Sequence, residues 1–392
     1  MARYNGGAIV MAVVVAVVAL VGVARAAECH GSPKPDAQPN LNAIYDSAPV
    51  LVRQVANAKL YRVGGGNDTI NVVHLWGTPY EKGFAHGTLM QDDAKDFINA
   101  VWAYLELQVE QALNGSIHTL KPGFIEMVAN YGLEVALDLT LDLTRPFTGQ
   151  YFFEEMKGMA DATGLSYSRI EYIHMIGELT QGDCSISTRY DMPFLPAPPH
   201  FSRRYSVPLC FFVFLPLFYF FPLSLSLSLS RFPCPLHQRA TIEDARQRIA
   251  DAPRTCNLIL GVGDGKSSEF NGIEYSYSVA RFFTDTDNEP VADWHPRIND
   301  IVYYGMDWLC PGYNQVLGEQ LQKHHGNITA ENTIRDITAI TQTGDLHIAI
   351  YDLEHQILHT ANARRDSADG PNYAYQRPFV KLDMKALFEV TL

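Results

Sequence analysis

The stretch Gly182-Asp183-Cys184-Ser185 divides the chain into two parts of different character. Before it, apolar residues recur at helical spacing, as in the run from Glu154 to Leu165 and in the amphipathic stretch that ends at Leu179. After it comes a short segment that could begin a strand. Among the six cysteines, Cys184 has the surroundings that best indicate chemistry. Cleavage of the chain before Cys184 would place a thiol and a free α-amine on one residue, which supplies a nucleophile and a base together.

The part before Cys184 is predicted to be mostly helical. Its apolar periodicity predicts one strand at 72–75 and helices at about 50–58, 80–113, 121–141, 149–163 and 166–180. From residue 239 the pattern changes to two strand hairpins with intervening helices. We predict helices at 241–250 and 332–341, the second capped by Thr329, and hairpins around the turns that follow strands 256–262 and 346–351. Helices followed by hairpins predict an α+β fold.

Composition limits the class of partner and the kind of site. The chain has 392 residues, of which 47% are hydrophobic, enough for one or two domains with a sizeable core. A net charge of −13 argues against nucleic acid as a partner. No Cys-x-x-Cys pair occurs, so we predict neither a metal site nor a cofactor. Cys256 and Cys310 could form a disulfide, which would leave Cys184 free.

The N-terminus has the composition of a secretory signal peptide. Arg3 precedes an apolar run over 8–23, and Ala24-Arg25-Ala26 offers a cleavage site, so residues 1–26 are the predicted signal. Three Asn-x-Ser/Thr sequons are candidate glycosylation sites: Asn67, Asn114 and Asn327. These features predict a protein of the secreted or lysosomal/vacuolar lumen.

Residues 192–238 form an anomalous low-complexity insert. Within it, residues 207–229 carry no charge. A Leu-Ser repeat runs from Leu223 to Ser230. Phe, Leu, Pro and Ser can all be encoded by C and T alone, so we interpret the tract as a translated retained intron. A transmembrane segment and a native loop are the alternatives, although Pro216 and Pro222 argue against a regular membrane helix.

In the order of its motifs, the chain resembles the acyl-coenzyme A:6-aminopenicillanic acid acyltransferase family of N-terminal-nucleophile (Ntn) hydrolases, in particular its secreted acid-ceramidase-like branch. The resemblance covers roughly 70–185 and 239–390, and its motifs lie at 77–87, 155–160, 174–185, 254–256, 261–266, 304–311 and 342–347. It implies an αββα sandwich in which an α chain, 27–183, and a β chain, 184–392, form one domain after cleavage between Asp183 and Cys184. It also implies a small-molecule amide or lipid substrate, and catalysis by Cys184.

The segment after the nucleophile departs from the family pattern. The family places an Arg and a nearby Asp on strands that follow the nucleophile. Arg189 and Asp191 have the right types here, but they lie close to Cys184 and on the opposite face of a continuous strand. The oxyanion asparagine has no clean counterpart, and Asp307 and Asn299 are the residues nearest to its expected place. The sandwich is therefore predicted to be incomplete, with central strands missing from this sequence.

Other chemistry-bearing residues have simpler interpretations. We expect Glu154, Glu155 and Glu178 to be helix-surface charges, His86 and His174 to be core residues on helices, and His324-His325 to be a solvated turn. Two rival functions remain open. One is a catalytically inactive secreted scaffold that binds lipid or glycan, and the other is a protein tethered to a membrane by 207–229.

Overall fold

The computed structural model describes residues 31–116, 120–175, 241–254, 258–289, 291–303, 311–344, 346–364 and 372–389. The helices are α1 (Pro79–Leu89), α2 (Gln91–Leu113), α3 (Pro122–Tyr131), α4 (Leu133–Thr144), α5 (Gln150–Thr163), α6 (Tyr167–His174), α7 (Ile242–Asp251), α8 (Pro311–Lys323), α9 (Ala330–Asn332, a π-helical part Thr333–Thr338, and Ala339–Thr341) and α10 (Met384–Glu389). The strands are β1 (Val50–Val55), β2 (Ala58–Val63), β3 (Ile70–Leu75), β4 (Leu258–Asp264), β5 (Glu269–Tyr275), β6 (Ala280–Phe283), β7 (His347–Asp352), β8 (Ile357–Asn362) and β9 (Val380–Asp383).

The described strands form three separate three-stranded sheets. Each is an antiparallel meander in sequence order: β1-β2-β3, β4-β5-β6 and β7-β8-β9. After the first sheet, helices α1 to α6 follow one another along the chain over residues 79–174. This mixture of helices and small antiparallel sheets is compatible with an α+β fold. The αββα layering stays a prediction.

The helix predicted over 50–58 is wrong, because this stretch forms the hairpin of β1 and β2. Val50, Val52 and Val55 are β-branched and favour extended backbone. Ala56 and Asn57 make a two-residue turn, and Asn57 takes a φ of 64°, a conformation that asparagine tolerates better than most residues. The strand predicted at 72–75 is confirmed within β3.

Two of the predicted helices are each divided into two. The stretch 80–113 breaks at Met90, which ends α1 and begins α2. The stretch 121–141 breaks at Gly132, whose φ of 87° is incompatible with a continuing right-handed helix. Apolar periodicity continues through both breaks, which is why the pattern alone does not reveal them. The helix predicted at 149–163 is confirmed as α5. The helix predicted at 166–180 is confirmed over α6, which ends at His174, and residues 176–180 lie outside the described residues.

The elements predicted for the second half are confirmed. Helix α7 and the β4-β5 and β7-β8 hairpins lie where the sequence places them. Thr329 caps α9 by accepting a hydrogen bond from the amide of Asn332 at 3.3 Å. The π-helical part of α9 has no signal in the sequence pattern.

Two of the hydrophobic cores in the described residues hold helices and sheets against one another. Helices α2, α5 and α6 share a core that includes Ile98, Met156 and Ile170. The second core joins the first and third sheets, because Val380 of β9 packs with residues of β2 and β3. Among the described residues no helix is long and apolar enough to span a bilayer. The 207–229 segment, the whole insert and the signal peptide lie outside the described residues.

Candidate functional site

Helices α1 and α5 cross at unusually short distance, and glycines make the crossing possible. A methyl group added to Gly83 would collide with the carbonyl oxygen of Glu155, and one added to Gly158 would collide with that of Tyr80. Gly87 sits one turn farther along, where the same addition would approach Ala162 at 2.9 Å. We call this contact the glycine crossing (Gly83, Gly87 and Gly158). It brings two sequence-distant motifs, 77–87 and 155–160, together backbone to backbone.

The start of α1 is fixed by a capping box. Thr78 accepts a hydrogen bond from the amide of Glu81, and the carboxylate of Glu81 accepts one from the Thr78 amide at 2.7 Å. Pro79 occupies the first helical turn, where its missing N–H is of no consequence. The helix therefore begins at a defined residue, and the positions of Gly83 and the side chains beside it are set from there.

Three ionisable side chains on these helices are buried. The exposed fraction is 6% for Lys82, 4% for His86 and 2% for Glu155. The interpretation of Glu155 as a surface charge is therefore wrong, whereas Glu154 is exposed as expected. The error arises because periodicity alone did not show that α5 is covered by α1 on this face. Burial of ionisable groups is costly, and where it occurs it often marks a functional site.

Burial also sets the protonation of His86. Desolvation lowers the pKa of His86 from 6.5 to about 4, so the imidazole is neutral at neutral pH. Its expected role as a core residue on a helix agrees with this placement. A neutral imidazole beside the glycine crossing can exchange hydrogen bonds without adding charge.

Aromatic residues and an arginine lie where the start of α5 approaches the end of β5. Tyr151 lies one turn before Glu155, and burial, followed by the charges of Glu155 and Tyr275, raises its pKa above the usual value. Tyr275 ends β5, and the guanidinium of Arg254 lies 4.5 Å from the centre of its ring. The contact between Phe147 and Tyr277, at 5.6 Å between ring centres, supports the same junction. The segment before α5 and the end of β5 thus lie side by side.

Arg254 is held in place by backbone carbonyl groups. Its Nε donates to the carbonyl of Ser276 at 2.5 Å, and its Nη1 donates to those of Ala250 at 3.0 Å and Ala252 at 2.9 Å. These bonds tie the end of α7 to the end of β5. They fix a guanidinium directly before residues 255–257, which lie outside the described residues.

Helix α6 leads from this region toward the predicted nucleophile. Nδ1 of His174 lies 2.6 Å from the carbonyl of Ile170, which fixes the proton on Nδ1 and leaves Nε2 as the basic nitrogen. Burial lowers the pKa of His174 to about 4. The described residues break off at Met175, nine positions before Cys184, and resume at Thr241.

Most of the predicted catalytic residues lie outside the described residues. These are Asp183, Cys184, Arg189, Asp191 and Asp307, and the same holds for Glu178 and the suggested Cys256–Cys310 pair. Asn299 is described and is exposed, and its backbone carbonyl lies 2.8 Å from Nε2 of His325. The role of each residue in catalysis stays a prediction.

The expected solvated turn at His324-His325 is partly wrong. Both residues lie in a turn and His325 is exposed, but the side chain of His324 is only 12% exposed. Its Nε2 lies 3.1 Å from a carboxylate oxygen of Asp336, which Arg335 also contacts at 2.6 Å. The fold of α9 back onto α8 covers His324, a contact between distant residues that local sequence does not reveal.

The three predicted glycosylation sites are exposed. Asn67 lies in a short 3-10 turn, Asn114 ends α2, and Asn327 precedes the Thr329 cap. Exposure permits a glycan at each position, and its presence stays a prediction. Among the described residues there is no group of three or more His, Cys, Asp or Glu side chains arranged to bind a metal ion.

Sequence reasoning missed Tyr151 and Lys82, and it assigned Arg254 no role beyond its place in a motif. The available signal was the paired glycines: Gly83 and Gly87 on one helix, and Gly158 on the other, are the residues that allow two backbones to touch. Nothing in the local pattern identifies which helix is the partner.

Comparison with known proteins gives two relatives of similar extent. Protein dcd1A of Dictyostelium discoideum is 29% identical over 422 aligned positions, which cover 92% of this chain and 94% of the relative. Protein dcd1B of the same organism is 25% identical over 414 positions, covering 88% and 80%. Neither name states an activity. No protein-family model matches the chain.

The alignment with dcd1A is longer than the chain itself. The alignment includes 92% of the chain, about 361 residues, so about 61 of its 422 positions are residues of the relative with no counterpart here.

Proposed function

We propose that the protein is an amidohydrolase or acyltransferase of the secretory or lysosomal lumen, acting on linear amides that include fatty-acyl amides. Cys184, exposed by autoproteolysis, is its nucleophile. The observation that carries the proposal is the contact between two of the motifs. Residues from 77–87 and 155–160 meet backbone to backbone at the glycine crossing.

The proposed maturation needs only groups of the chain and water. The thiolate of Cys184 attacks the carbonyl carbon of Asp183, the C–N bond breaks, and the amide becomes a thioester. The proton lost by the thiol ends on the liberated α-amine of Cys184. Water then hydrolyses the thioester and releases two chains, α and β, that remain partners in one domain. No cofactor takes part.

The proposed reaction uses the same residue a second time. An α-amine has a pKa of about 8 in peptides, so modest burial makes it a usable general base near neutral pH. The amine takes the thiol proton while sulfur attacks the substrate carbonyl, and it delivers that proton to the leaving amine. Water or an acceptor amine then takes the acyl group from sulfur.

The buried groups of α1 and α5 support this chemistry by their position. Glu155 and His86 are removed from water, and α5 connects through α6 to the segment that contains Cys184. A rigid helix pair at this point can hold the nucleophile segment in one place, which acyl transfer requires because attack geometry is narrow. Asp183, Arg189, Asp191, Asn299 and Asp307 remain candidate cleavage and substrate-supporting residues.

The test is the mass of the mature protein. We expect secreted protein to contain two chains, the larger with Cys184 at its N-terminus, and Cys184→Ala to abolish both the cut and amide hydrolysis. Intact-mass analysis and N-terminal sequencing measure the cut, and release of amine from an N-acyl amine measures activity. Cys210→Ala, within the anomalous insert, is the matched control and should leave both unchanged.

An uncut, inactive wild-type chain would overturn the proposal for this sequence. It would favour the second candidate, an inactive secreted scaffold that binds lipid or glycan. The observation that favours this candidate is the short stretch 186–191 between the nucleophile and the insert, together with the roughly 61 aligned positions of dcd1A that have no counterpart in this chain.

A further inference from the structure

Helix α4 carries large apolar residues on two opposite faces. Val135 and every second residue after it, up to Leu143, are apolar. In a helix, residues two positions apart lie about 200° apart around the axis, so this alternation sends successive apolar residues to opposite sides. Leu137 is fully buried in a core with residues of α2, α3 and α6, and Leu141 is buried one turn farther on. The residues between them therefore face away from the core.

The outward-facing apolar residues form a continuous stripe. Val135, Leu139 and Leu143 follow one another at four-residue steps, and their exposed fractions are 47%, 41% and 69%. We call these three residues the α4 stripe, which is about 12 Å long, given the rise per residue of an α-helix. Single exposed apolar residues are common on soluble proteins, whereas a contiguous group indicates a surface that meets a partner.

A row of carboxylates runs beside the α4 stripe. Glu134, Asp138 and Asp142 each come directly before a residue of the stripe, and all three are exposed. We call them the acidic row. Asp138 also accepts a hydrogen bond from the hydroxyl of Tyr172 at 2.6 Å. Residues 122–144, which form α3 and α4, contain four acidic and no basic residues, so their formal charge is −4.

These charges argue against two kinds of occupant. Helices that lie on membranes carry Lys or Arg on their polar face, because the membrane surface is negative, and the acidic row would be repelled by that surface. A second copy of the chain packed stripe to stripe would bring two acidic rows together. The net charge of −13 adds to this repulsion.

We propose that the α4 stripe and the acidic row bind an amphipathic helix of a partner protein, with apolar residues on one face and Lys or Arg beside them. Apolar side chains at four-residue steps form a ridge that packs into the groove of a second helix. The acidic row pairs with the basic residues and sets the orientation of the bound helix. None of these residues belongs to the proposed catalytic groups, so the surface exists whether or not Cys184 is a nucleophile.

Fluorescence anisotropy with a labelled Leu-Lys peptide tests the surface on the full-length chain. The probe is a synthetic peptide of about 18 residues, long enough to form a helix, with leucine on one face and lysine on the other. A matched Leu-Glu peptide has glutamate in place of every lysine. We expect a Kd in the micromolar range for the Leu-Lys peptide and no measurable binding of the Leu-Glu peptide. Absence of binding, or equal affinity for both peptides, would overturn the inference.

The double variant Leu139→Gln with Leu143→Gln tests the α4 stripe. It should weaken binding of the Leu-Lys peptide by at least about tenfold, because it removes two of three apolar contacts. The matched control is Leu41→Gln with Leu113→Gln, since these leucines are 81% and 49% exposed and lie outside α4. The control should bind as the wild type does. Circular dichroism shows whether each variant is folded, and unchanged affinity in the folded α4 variant would contradict the proposal.

The double variant Glu134→Gln with Asp142→Asn tests the acidic row. It should weaken binding by about fivefold at low salt and make the affinity less dependent on salt. Asp251→Asn with Glu319→Gln is the control, because it removes the same amount of charge from exposed positions on α7 and α8. Equal losses in the two double variants would show attraction to net charge alone and would overturn the proposed role of the acidic row.

Two further measurements detect a different occupant. Binding to vesicles of phosphatidylcholine and phosphatidylglycerol that is lost in Leu139→Gln with Leu143→Gln would assign the α4 stripe to a lipid surface. Self-association in sedimentation velocity that is lost in the same variant would assign it to a second copy of the chain. We expect neither result, and each would contradict the proposal.

Discussion

At the scale of single residues, the glycine crossing depends on the absence of side chains. Backbone atoms of α1 and α5 occupy the space that a Cβ on Gly83 or Gly158 would need. Backbone carbonyls cannot move aside as a flexible side chain can, so the helices themselves would have to separate. The buried position of Glu155 depends on the same contact.

Gly158→Ala is therefore expected to destabilise the protein, although alanine favours helix more than glycine does. Overpacking of this kind costs about 1–3 kcal/mol or more, which outweighs a helix-propensity gain of about 1 kcal/mol. Urea unfolding measures the change. Gly123→Ala is the matched control, because Gly123 is also helical and has open space around its Cβ position. It should be neutral or slightly stabilising, and equal effects of both changes would contradict a steric role for Gly158.

At the scale of elements, the start of α1 decides where its side chains lie. Thr78 and Glu81 form a reciprocal capping box, in which each side chain accepts a hydrogen bond from the other residue's amide. The start of α5 has no side-chain cap, and Gly149 precedes the helix there. A frayed first turn of α1 would release Tyr80 and Lys82 from their positions.

Thr78→Ala should cost about 1 kcal/mol of unfolding free energy through loss of the cap. Thr78→Ser keeps the hydroxyl and should cost much less. Thermal unfolding of the two variants compares them directly. If serine is as harmful as alanine, the methyl group of Thr78 rather than its hydroxyl stabilises the helix start.

At the scale of the whole molecule, three desolvated, neutral histidines link stability to pH. Desolvation lowers the pKa of His86 and His174 to about 4 and that of His347 to about 3. Because each folded-state pKa lies below the unfolded value of about 6.5, the unfolded chain takes up more protons as the pH falls below 6.5. The contribution of these groups to stability is full above pH 6.5 and is lost progressively toward pH 4.

We therefore expect the free energy of unfolding to decrease between pH 6.5 and 4.5. Each group contributes a slope of about 1.4 kcal/mol per pH unit in this range. Urea unfolding at a series of pH values measures the slope. His86→Gln removes one titrating group, so it should reduce the slope by about 1.4 kcal/mol per pH unit. A flat profile would show that these histidines are protonated in the folded protein. A steep decrease in stability toward acidic pH would favour the near-neutral secretory lumen, rather than an acidic lysosome, as the location of the protein.

Most of the local structure could be predicted from the amino-acid sequence. Strand β3, helix α5, the two later hairpins and the Thr329 cap follow from periodicity and from cap or turn residues, which act over a few neighbours. The helix breaks at Met90 and Gly132 could not be predicted, because the apolar periodicity continues through them. The β1-β2 hairpin was missed because the apolar spacing of a short run fits helix and strand alike. The motif order and Cys184 were likewise read from the chain, and they remain predictions.

Which helix covers which follows from contacts between elements that are far apart in the chain. The burial of Glu155, the contact of Arg254 with Tyr275, the cover over His324 and the hydrogen bond from Tyr80 to Asp161 all join residues distant in sequence. The physical reason is that burial and the environment of a charge are set by the partner element. A helix of given sequence presents the same faces wherever it lies, and contact with the partner determines which face leaves water.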